Sequence, residues 1–427
     1  MAKIQKALIS TSLLALTLVG CGGGDTVTEV IKNVNVEVAN NVQVGDRPSY
    51  LINKMVDSEL KSKLQTCQSK VMKVSDFSIG HRGAAMQFPE HSKESYEAAI
   101  RQGAGIVECD VAFTKDMELV CRHAQNDLHT TTNILTTPLA SNCTKPFVPA
   151  TLDAQGKVIT PAAAECRTSD ITLAEFKTLR AKMDDKNPAA LTAKDYLVST
   201  NTQRTDVYAS SGTLMTHKES IALIKAAGRK FTPELKTPTV TMPYTFNGKT
   251  FTQEDYARKM IQEYIDAGVP PAQVFAQSFL PADIYYWIKT FPEFGKQAVY
   301  LDDYDDNATN IGKLLSGEKF VDIANKGVKY VGAALPKILT LDANQKMIAS
   351  QYTKDAKAAG LNLIAWTIER SLPINSNGWY YQSVAPAMKN DGDNYILIDA
   401  LNKEAGVKGI FSDWPATVTY YANCMGL

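Results

Sequence analysis

The chain has little net charge and few histidines. Its 427 residues carry 45 Lys and Arg against 45 Asp and Glu, and five His. Balanced charge without a basic stripe argues against a nucleic-acid partner, because the phosphate backbone is bound through clustered cations. With so few imidazoles, the position of each one is informative. The composition therefore favours a small-molecule substrate and gives no indication of an oligomeric state.

Other patterns are also missing. No two cysteines are spaced as Cys-x-x-Cys, which argues against a zinc site built on cysteines, and no internal repeat occurs, which excludes a repeat architecture. After residue 20, no apolar segment is long enough to cross a membrane as a helix. What remains is a globular chain whose length fits one large α/β barrel or two small domains.

The first twenty residues have the features of a signal peptide. Lys3 and Lys6 precede an apolar stretch from Ala7 to Val19 that is too short to span a membrane comfortably. The stretch ends in Leu18-Val19-Gly20-Cys21, which resembles the lipobox of bacterial lipoproteins, where the signal is cut before a cysteine that is then acylated. We expect an exported protein anchored in the membrane through Cys21 and facing the periplasm or the cell surface; ordinary secretion is the alternative.

Residues 21–48 are predicted to be a tether between the membrane and the folded domain. They are Gly-rich at first and then poorly periodic, with a turn at Gly45-Asp46. An extra strand is the alternative. Residues 49–427 are predicted to form one domain.

Within this domain, short β-rich runs alternate with amphipathic stretches. Strands are expected at 77–80, 106–111, 119–123, 230–236, 274–279, 298–301, 363–368 and 409–412, and helices at 92–102, 220–227, 255–267 and 348–359. This alternation is typical of βα units, eight of which close a TIM-type (β/α)8 barrel of the α/β class. Tyr330 to Leu335 is a ninth candidate strand. Residues 124–229, between the third and fourth strands, are too many for a βα connection and predict an insertion over the barrel mouth.

Six cysteines follow Cys21, and an exported chain allows them to form disulfides. Six cysteines permit about fifteen pairings, so the spacing does not fix the connectivity. Cys143 with Cys166 is the one pair we predict, because both lie in a single polar stretch that a local bridge would staple. Cys109 lies between two acidic residues on a predicted strand and is expected to be a buried thiol.

The chemistry begins with Glu108 and Asp110, two residues apart on a predicted strand, so that both carboxylates project from the same face. Apolar neighbours make this pairing unfavourable unless a cation compensates it, and Ca²⁺ or Mg²⁺ prefers carboxylate oxygens. Exposed acids on an edge strand are the alternative.

A second pair, Glu234 and Lys236, has the same spacing on another predicted strand. Glu234 would add a third metal ligand, and Lys236 would supply a cation for a phosphoryl oxygen. A simple ion pair between the two side chains explains the pattern equally well.

Two imidazoles follow predicted strand ends. His81 and Arg82 lie in Gly80-His81-Arg82-Gly83 after the first strand, and His123 ends the third. Barrel enzymes place their catalytic groups at this end of the strands, where one His could act as base and the other as acid. Arg82 could bind phosphate oxygens through its fork of donors.

These motifs resemble those of the glycerophosphodiester phosphodiesterase family, over roughly positions 77 to 416. The matching segments, in the family's order, are Ser78-Ile79-Gly80-His81-Arg82-Gly83, Pro89-Glu90-His91-Ser92, Val107-Glu108-Cys109-Asp110-Val111, His123, Pro233-Glu234-Leu235-Lys236, Gln277-Ser278-Phe279, Ala365-Trp366-Thr367 and Gly409-Ile410-Phe411-Ser412-Asp413-Trp414-Pro415.

The resemblance implies a metal-dependent hydrolase that releases glycerol 3-phosphate and an alcohol. It implies His81 and His123 as the catalytic pair, Glu108, Asp110 and Glu234 as ligands of Ca²⁺ or Mg²⁺, Arg82 and Lys236 as phosphate contacts, Glu90 as a supporting acid, and Trp366 as a wall for the alcohol. Whether water or a neighbouring hydroxyl of the substrate attacks, and which His is the acid, is left open.

The chain departs from the family pattern at two positions. His91 replaces the usual Asn after Pro-Glu, and Ala124 replaces the Asp that commonly follows the second catalytic His. Asp127 lies close enough along the chain to substitute for that Asp. If it does not, activity would be altered. A long insertion and the aromatic stretch 378–381 also predict a reshaped mouth.

Three alternative functions share parts of this pattern. A phospholipase D-like enzyme acting on lysophospholipid or sphingolipid shares the resemblance, and a surface-binding lipoprotein without turnover is favoured by Ala124. A glycosidase would use carboxylates that are farther apart and would not require Arg82 and Lys236 beside two His.

The acidic stretch from Asp303 to Asn307 lacks the Gly and Glu of a calcium loop and is predicted to be solvated.

Overall fold

The computed structural model describes residues 41–198, 204–205, 207–208, 211–304, 312–371 and 378–427. The predicted signal peptide and Cys21 lie outside these residues. The described end of the predicted tether lies against the domain: the Gln43 N–H donates to the Arg101 carbonyl at 2.8 Å, and a helix, Arg47–Lys54, begins within the last two tether residues.

The main sheet has nine strands, eight of which are parallel and close into a barrel. In chain order the strands are β1 (Ser75–Gly80), β2 (Ala104–Phe113), β3 (Leu119–Cys121), β4 (Lys230–Leu235), β5 (Gln277–Ser278), β6 (Val299–Asp302), β7 (Tyr330–Ala334), β8 (Asn362–Ile368) and β9 (Gly409–Ser412). The barrel closes because β1 pairs in parallel with both β2 and β9. The predicted TIM-type barrel is confirmed.

The surplus strand is β3. It pairs antiparallel with β2, with Val111 opposite Cys121, and so is not one of the eight barrel strands. The ninth candidate, β7, is one of the eight, paired in parallel with β6 and β8. The long connection therefore follows the third strand of the chain, as expected, but in the barrel it joins the second strand to the third.

Helices surround the barrel. The longer ones are Arg47–Lys54, Glu59–Gln65, Lys93–Arg101, His217–Ala226, Gln253–Asp266, Pro281–Thr290, Phe320–Asn325, Gln351–Ala358, Asp393–Ala400 and Pro415–Met425. Their starts follow local chemistry: Thr216 and Thr252 each accept from the backbone N–H three residues on, while Glu219 and Asp255 return the bond. No helix in the described part of the chain is long and apolar enough to cross a membrane.

The core has two layers that follow the alternation of side chains along the strands. Val107, Cys109 and Val111 face the helices and belong to the large outer core. The residues between them face the barrel lumen, where a small apolar cluster, Ile79, Ile106, Val299, Leu301, Ile364 and Phe411, fills the space. Glu108 and Asp110 continue the inward face of β2 beyond Ile106, which places both carboxylates in the lumen.

The long connection after β3 has a core of its own, built around buried residues such as Leu128, Ile134, Phe176 and Tyr196. It consists of short elements: helices Leu128–Thr131, Leu173–Phe176 and Ala193–Tyr196, and strand pairs Lys145–Val148 with Ala163–Glu165, Thr151–Leu152 with Val158–Thr160, and Arg180–Ala181 with Gly212–Thr213. This core also contains Ala112 and Val120, so the insertion packs directly on β2 and β3.

All six cysteines after Cys21 are paired. The predicted bridge Cys143–Cys166 is confirmed, with 4.3 Å between the Cα atoms, and staples the insertion. The expectation that Cys109 is a free buried thiol is wrong: it bonds Cys121, because the antiparallel pairing of β3 with β2 brings their Cα atoms to 5.3 Å. Cys67–Cys424 joins the two ends of the domain.

Candidate active site

Three carboxylates meet at the carboxyl ends of β2 and β4. The parallel register sets Thr232 beside Glu108 and Glu234 beside Asp110, so that inward-facing acids on neighbouring strands share one level. Glu108, Asp110 and Glu234 are all buried, and one ligand atom from each lies within 4.8 Å of the others. The structure thus brings together the three residues predicted as metal ligands.

The environment of these carboxylates fits a hard divalent cation. Burial and the neighbouring charges of Asp110 and Glu234 raise the pKa of Glu108 well above its usual value. Burial also raises the pKa of Glu234, to about 7. One oxygen of Asp110, Oδ1, is buried without a hydrogen-bond partner. Ca²⁺ or Mg²⁺ bound here would satisfy that oxygen and offset the repulsion.

Protein groups hold the carboxylates in place. Glu108 accepts hydrogen bonds from the Gln277 side chain and from the Arg82 backbone N–H, both at 2.9 Å. His91, the residue that replaces the family's Asn, places its Nε2 3.0 Å from Asp110 Oδ2 and its Nδ1 3.0 Å from the Tyr96 hydroxyl. At position 91 this chain therefore provides a polar contact to the predicted ligand Asp110.

Lys236 forms an ion pair with Glu234, with Nζ 2.5 Å from Oε1. The simple ion pair that the sequence offered as an alternative is therefore present. Lys236 also lines the cavity in front of the carboxylates, together with Arg82. Although burial opposes it, Glu234 and Asp110 raise the pKa of Lys236, so it is a cation. The ion pair and a phosphate contact are compatible roles.

His81 lies just after β1, in a sharp turn where Arg82 and Gly83 both have positive φ, 57° and 90°. A Cβ at position 83 would lie 2.4 Å from Ser95 Oγ, so only Gly fits. His81 Nδ1 lies 2.5 Å from Asp413 Oδ1, which turns Nε2 toward the carboxylates, 3.8 Å from Glu108 Oε2. Burial lowers the pKa of His81 to about 4, against the pull of Asp413.

His123 lines the same cavity from the end of β3. Burial and the cations Arg82 and Lys236 hold its pKa well below the usual value, so the imidazole is neutral. Asp127 accepts from the Ala124 N–H at 3.1 Å and therefore fixes the backbone that follows His123. This bond orders the loop directly after His123.

Behind the cavity lies a network of arginines and acids. Glu90 is buried and accepts from Arg82 Nη1 at 2.9 and 3.1 Å. Arg370 Nη1 donates to Asp413 at 2.7 Å and its Nη2 lies 3.4 Å from Glu90. Although burial opposes it, Arg370 and His81 hold the pKa of Asp413 below its usual range. Glu90 supports Arg82 but does not itself line the cavity. Arg370 and Asp413 connect Glu90 to His81.

Asp413 and Arg370 belong to the candidate site but were not predicted from the sequence. Asp413 stands within a quoted family motif, but nothing in its spacing shows that it reaches a histidine 332 positions away. The signal that could have found it is its place directly after β9, the strand that pairs with β1.

The cavity has a volume of about 470 Å³. Its other side is aromatic: Trp366, the predicted wall for the alcohol, is joined by Trp379 and Tyr380 from the aromatic stretch and by Phe279. Asp303, the first residue of the stretch predicted to be a solvated acidic loop, is half-buried and lines the cavity. Asn307, at the other end of that stretch, lies outside the described residues.

The chain is similar to known proteins over most of its length. The model of the glycerophosphoryl diester phosphodiesterase family matches residues 81–417. An extracellular protein of Arthroderma benhamiae is 43% identical over 57% of this chain and 100% of its own length. A glycerophosphodiester phosphodiesterase of Arabidopsis thaliana is 24% identical over 88% of this chain and 91% of its own.

The fold also has a solved counterpart. The crystal structure of a Silicibacter pomeroyi protein described as a glycerophosphoryl diester phosphodiesterase superposes with a TM-score of 0.51. The sequence identity is 17%, and the likeness covers 86% of this chain and 98% of that one. At this identity the likeness establishes the barrel fold.

Asp127 provides a test of the loop that carries His123. Asp127→Ala leaves the Ala124 N–H without its acceptor, so we expect kcat to fall by about 10- to 100-fold as the imidazole loses its placement. Asp127→Asn keeps an acceptor oxygen and should retain most of the activity. Steady-state kinetics of both variants on glycerophosphocholine measures this, and equal activity of the Ala variant and the wild type would refute the role.

The stability of the Asp127→Asn variant relative to the wild type should depend on pH. Burial raises the pKa of Asp127 to about 7 in the folded protein. A raised carboxyl pKa means that the folded state binds the proton more tightly than the unfolded state does. The contribution of Asp127 to the stability of the fold is therefore fully present below pH ~4 and is lost as pH rises through about 7. Thermal unfolding should therefore show Asp127→Asn gaining stability relative to the wild type between pH 5 and pH 8.

Proposed function

The chain belongs to the glycerophosphoryl diester phosphodiesterase family, and from this premise we propose that its cavity hydrolyses glycerophosphodiesters to glycerol 3-phosphate and an alcohol. The observation that carries the proposal is the composition of one cavity. Glu108 and Glu234, His81 and His123, and the cations Arg82 and Lys236 all line it. A phosphodiester needs such cations for its charge and such imidazoles for proton transfer.

We propose that Glu108, Asp110 and Glu234 hold Ca²⁺ or Mg²⁺. The donor set is all oxygen, it is buried, and one of its oxygens lacks a protein partner. When bound, the ion would draw charge off the phosphodiester as a Lewis acid. The remaining chemistry falls to the side chains around it.

Both imidazoles face the cavity and supply the groups for proton transfer. Asp413 binds Nδ1 of His81 and leaves Nε2 facing the cavity. His123 lines the same cavity, and burial together with the charges of Arg82 and Lys236 holds its pKa below the usual value. In the proposed mechanism one His takes a proton from the attacking hydroxyl, and the other gives a proton to the departing alcohol. The attacking group is water or the substrate's own neighbouring hydroxyl, through a cyclic phosphate.

The cations hold the phosphoryl group between these imidazoles. Arg82 is fixed by its two contacts to Glu90, so little side-chain freedom is lost when it binds an oxygen. Lys236 is fixed in the same way by Glu234. Both cations are oriented before substrate arrives, and such preorganised charge lowers the barrier to reaction.

Histidine substitutions test the proposal. We expect His81→Ala and His123→Ala each to lower kcat on glycerophosphocholine by about 10²- to 10⁴-fold, because each removes one proton transfer. Release of glycerol 3-phosphate, measured with Ca²⁺, with Mg²⁺ and with chelator, is the readout. His129→Ala is the matched control, since His129 stacks on Tyr196 in the insertion core and should leave kcat unchanged. Wild-type protein that is folded but releases no product would favour a binding protein.

We also propose that the chain is exported and anchored in a bacterial membrane through Cys21. Three disulfides in the folded domain support an oxidising compartment. In a bacterial host, Cys21→Ser should move the protein from the membrane fraction to the soluble exported fraction, whereas Cys67→Ser, which leaves the lipobox intact, should not. Membrane retention of the Cys21→Ser protein would contradict the anchor.

A further inference from the structure

Three rings form a corner on the side of the cavity away from the carboxylates. The indoles of Trp366 and Trp379 stack with their centroids 6.1 Å apart and 23° between their planes. The Tyr380 ring is nearly perpendicular to both, at 77° and 89°. All three side chains are half-buried and line the cavity. We call these three rings the aromatic corner.

The aromatic corner presents ring surface to the cavity. The Trp366 Nε1–H donates to the Gly332 carbonyl at 3.1 Å, so its polar atom is already satisfied within the protein. A polyol would bring several O–H donors, for which ring faces are poor acceptors. A quaternary ammonium group needs none, because its charge is spread over methyl groups that pack against ring faces.

A carboxylate lies next to the aromatic corner. Asp303 is half-buried and lines the same cavity. The next residue, Tyr304, packs edge-on against Trp379 with their centroids 5.9 Å apart, which fixes this part of the chain beside the corner. Negative charge beside aromatic rings favours a cation.

The aromatic corner is also continuous with the phosphate side of the cavity. Lys236 Nζ lies 5.9 Å from the Phe279 ring centroid, and that ring is edge-on to Trp366 with centroids 5.9 Å apart. The face of Phe279 is thus occupied by Lys236, and the next rings outward are those of the corner. A phosphodiester held at Lys236 would direct one of its alcohols along this path.

We propose that the aromatic corner and Asp303 select glycerophosphodiesters whose alcohol carries a quaternary ammonium group, of which the choline ester is the simplest. The inference rests on the proposed function, because it concerns the alcohol side of the same cavity. Trp379, Tyr380 and Asp303 are then specificity-determining residues, and none of them stands in the motifs that carry the family resemblance.

The test compares two substrates of one shape and different charge. Glycerophosphocholine is paired with an isostere whose alcohol group is uncharged, because carbon replaces the quaternary nitrogen to give a 3,3-dimethylbutyl ester. The full chain should show kcat/KM about tenfold higher for the choline ester, in the range expected of a partly desolvated cation–π contact. Equal values for the two esters, or a preference for the neutral one, would overturn the proposal.

Substitutions locate the selectivity. Tyr380→Leu, Trp379→Leu and Asp303→Asn should each bring the ratio of the two kcat/KM values toward one. Tyr208→Leu is the matched control: this ring stacks on Phe88, is 63% exposed and lies outside the cavity, so the ratio should stay at the wild-type value. An unchanged ratio in all three corner variants would overturn the assignment.

A binding measurement separates this proposal from the proposed hydrolysis. Calorimetric titration of the full-length His81→Ala variant with tetramethylammonium should show saturable binding that Trp379→Leu weakens, whether or not the wild type turns over substrate. Absent binding, together with wild-type turnover of glycerophosphoglycerol, would leave the hydrolase and remove the choline selectivity. Cleavage of long-chain lysophosphatidylcholine in preference to glycerophosphocholine would instead assign the corner to an alkyl chain.

Discussion

The structure depends on holding three buried carboxylates at one point. Glu108 and Asp110 both point into the barrel because they are two residues apart on β2. The register of β4 sets Glu234 beside Asp110. Their mutual repulsion in a buried site is unfavourable unless cations offset it, and the surrounding residues are placed accordingly. Lys236 pairs with Glu234, His91 contacts Asp110, and a divalent ion would complete the balance. In the proposed function, the same arrangement binds the phosphodiester.

A network of paired charges extends from the carboxylates to the histidines. Arg82 faces the cavity while Glu90 fixes it from behind, and Arg370 connects Glu90 to Asp413. Asp413 in turn sets the orientation of His81. A buried network in which each charge has a partner is rigid, so the imidazole is placed before substrate arrives. Loop residue Asp127 provides a simpler version of this support for His123.

The sequence was most informative where periodicity and motif order agreed. Strand-end positions predicted that His81, Glu108 and Glu234 would share one cavity, because parallel barrel strands end at one face. Pairing between strands was not readable: the short run at 119–123 has the composition of a barrel strand, yet it returns antiparallel on β2 and draws Cys109 into a disulfide. Asp413 and Asp303 reach the site through tertiary contacts that local pattern does not encode, whereas the aromatic stretch that contains Trp379 was expected at the mouth.

The most direct test of the account is the stoichiometry of metal binding. Calorimetric titration of Ca²⁺ and of Mg²⁺ into the metal-free full chain should show one site, and Glu108→Gln should weaken it by at least ~10-fold because a charged ligand is lost. Glu118→Gln, which changes a partly exposed acid paired with Lys259, should bind as the wild type does. A Glu108→Gln protein that binds metal as tightly as the wild type, or a wild type that binds neither ion, would contradict the account.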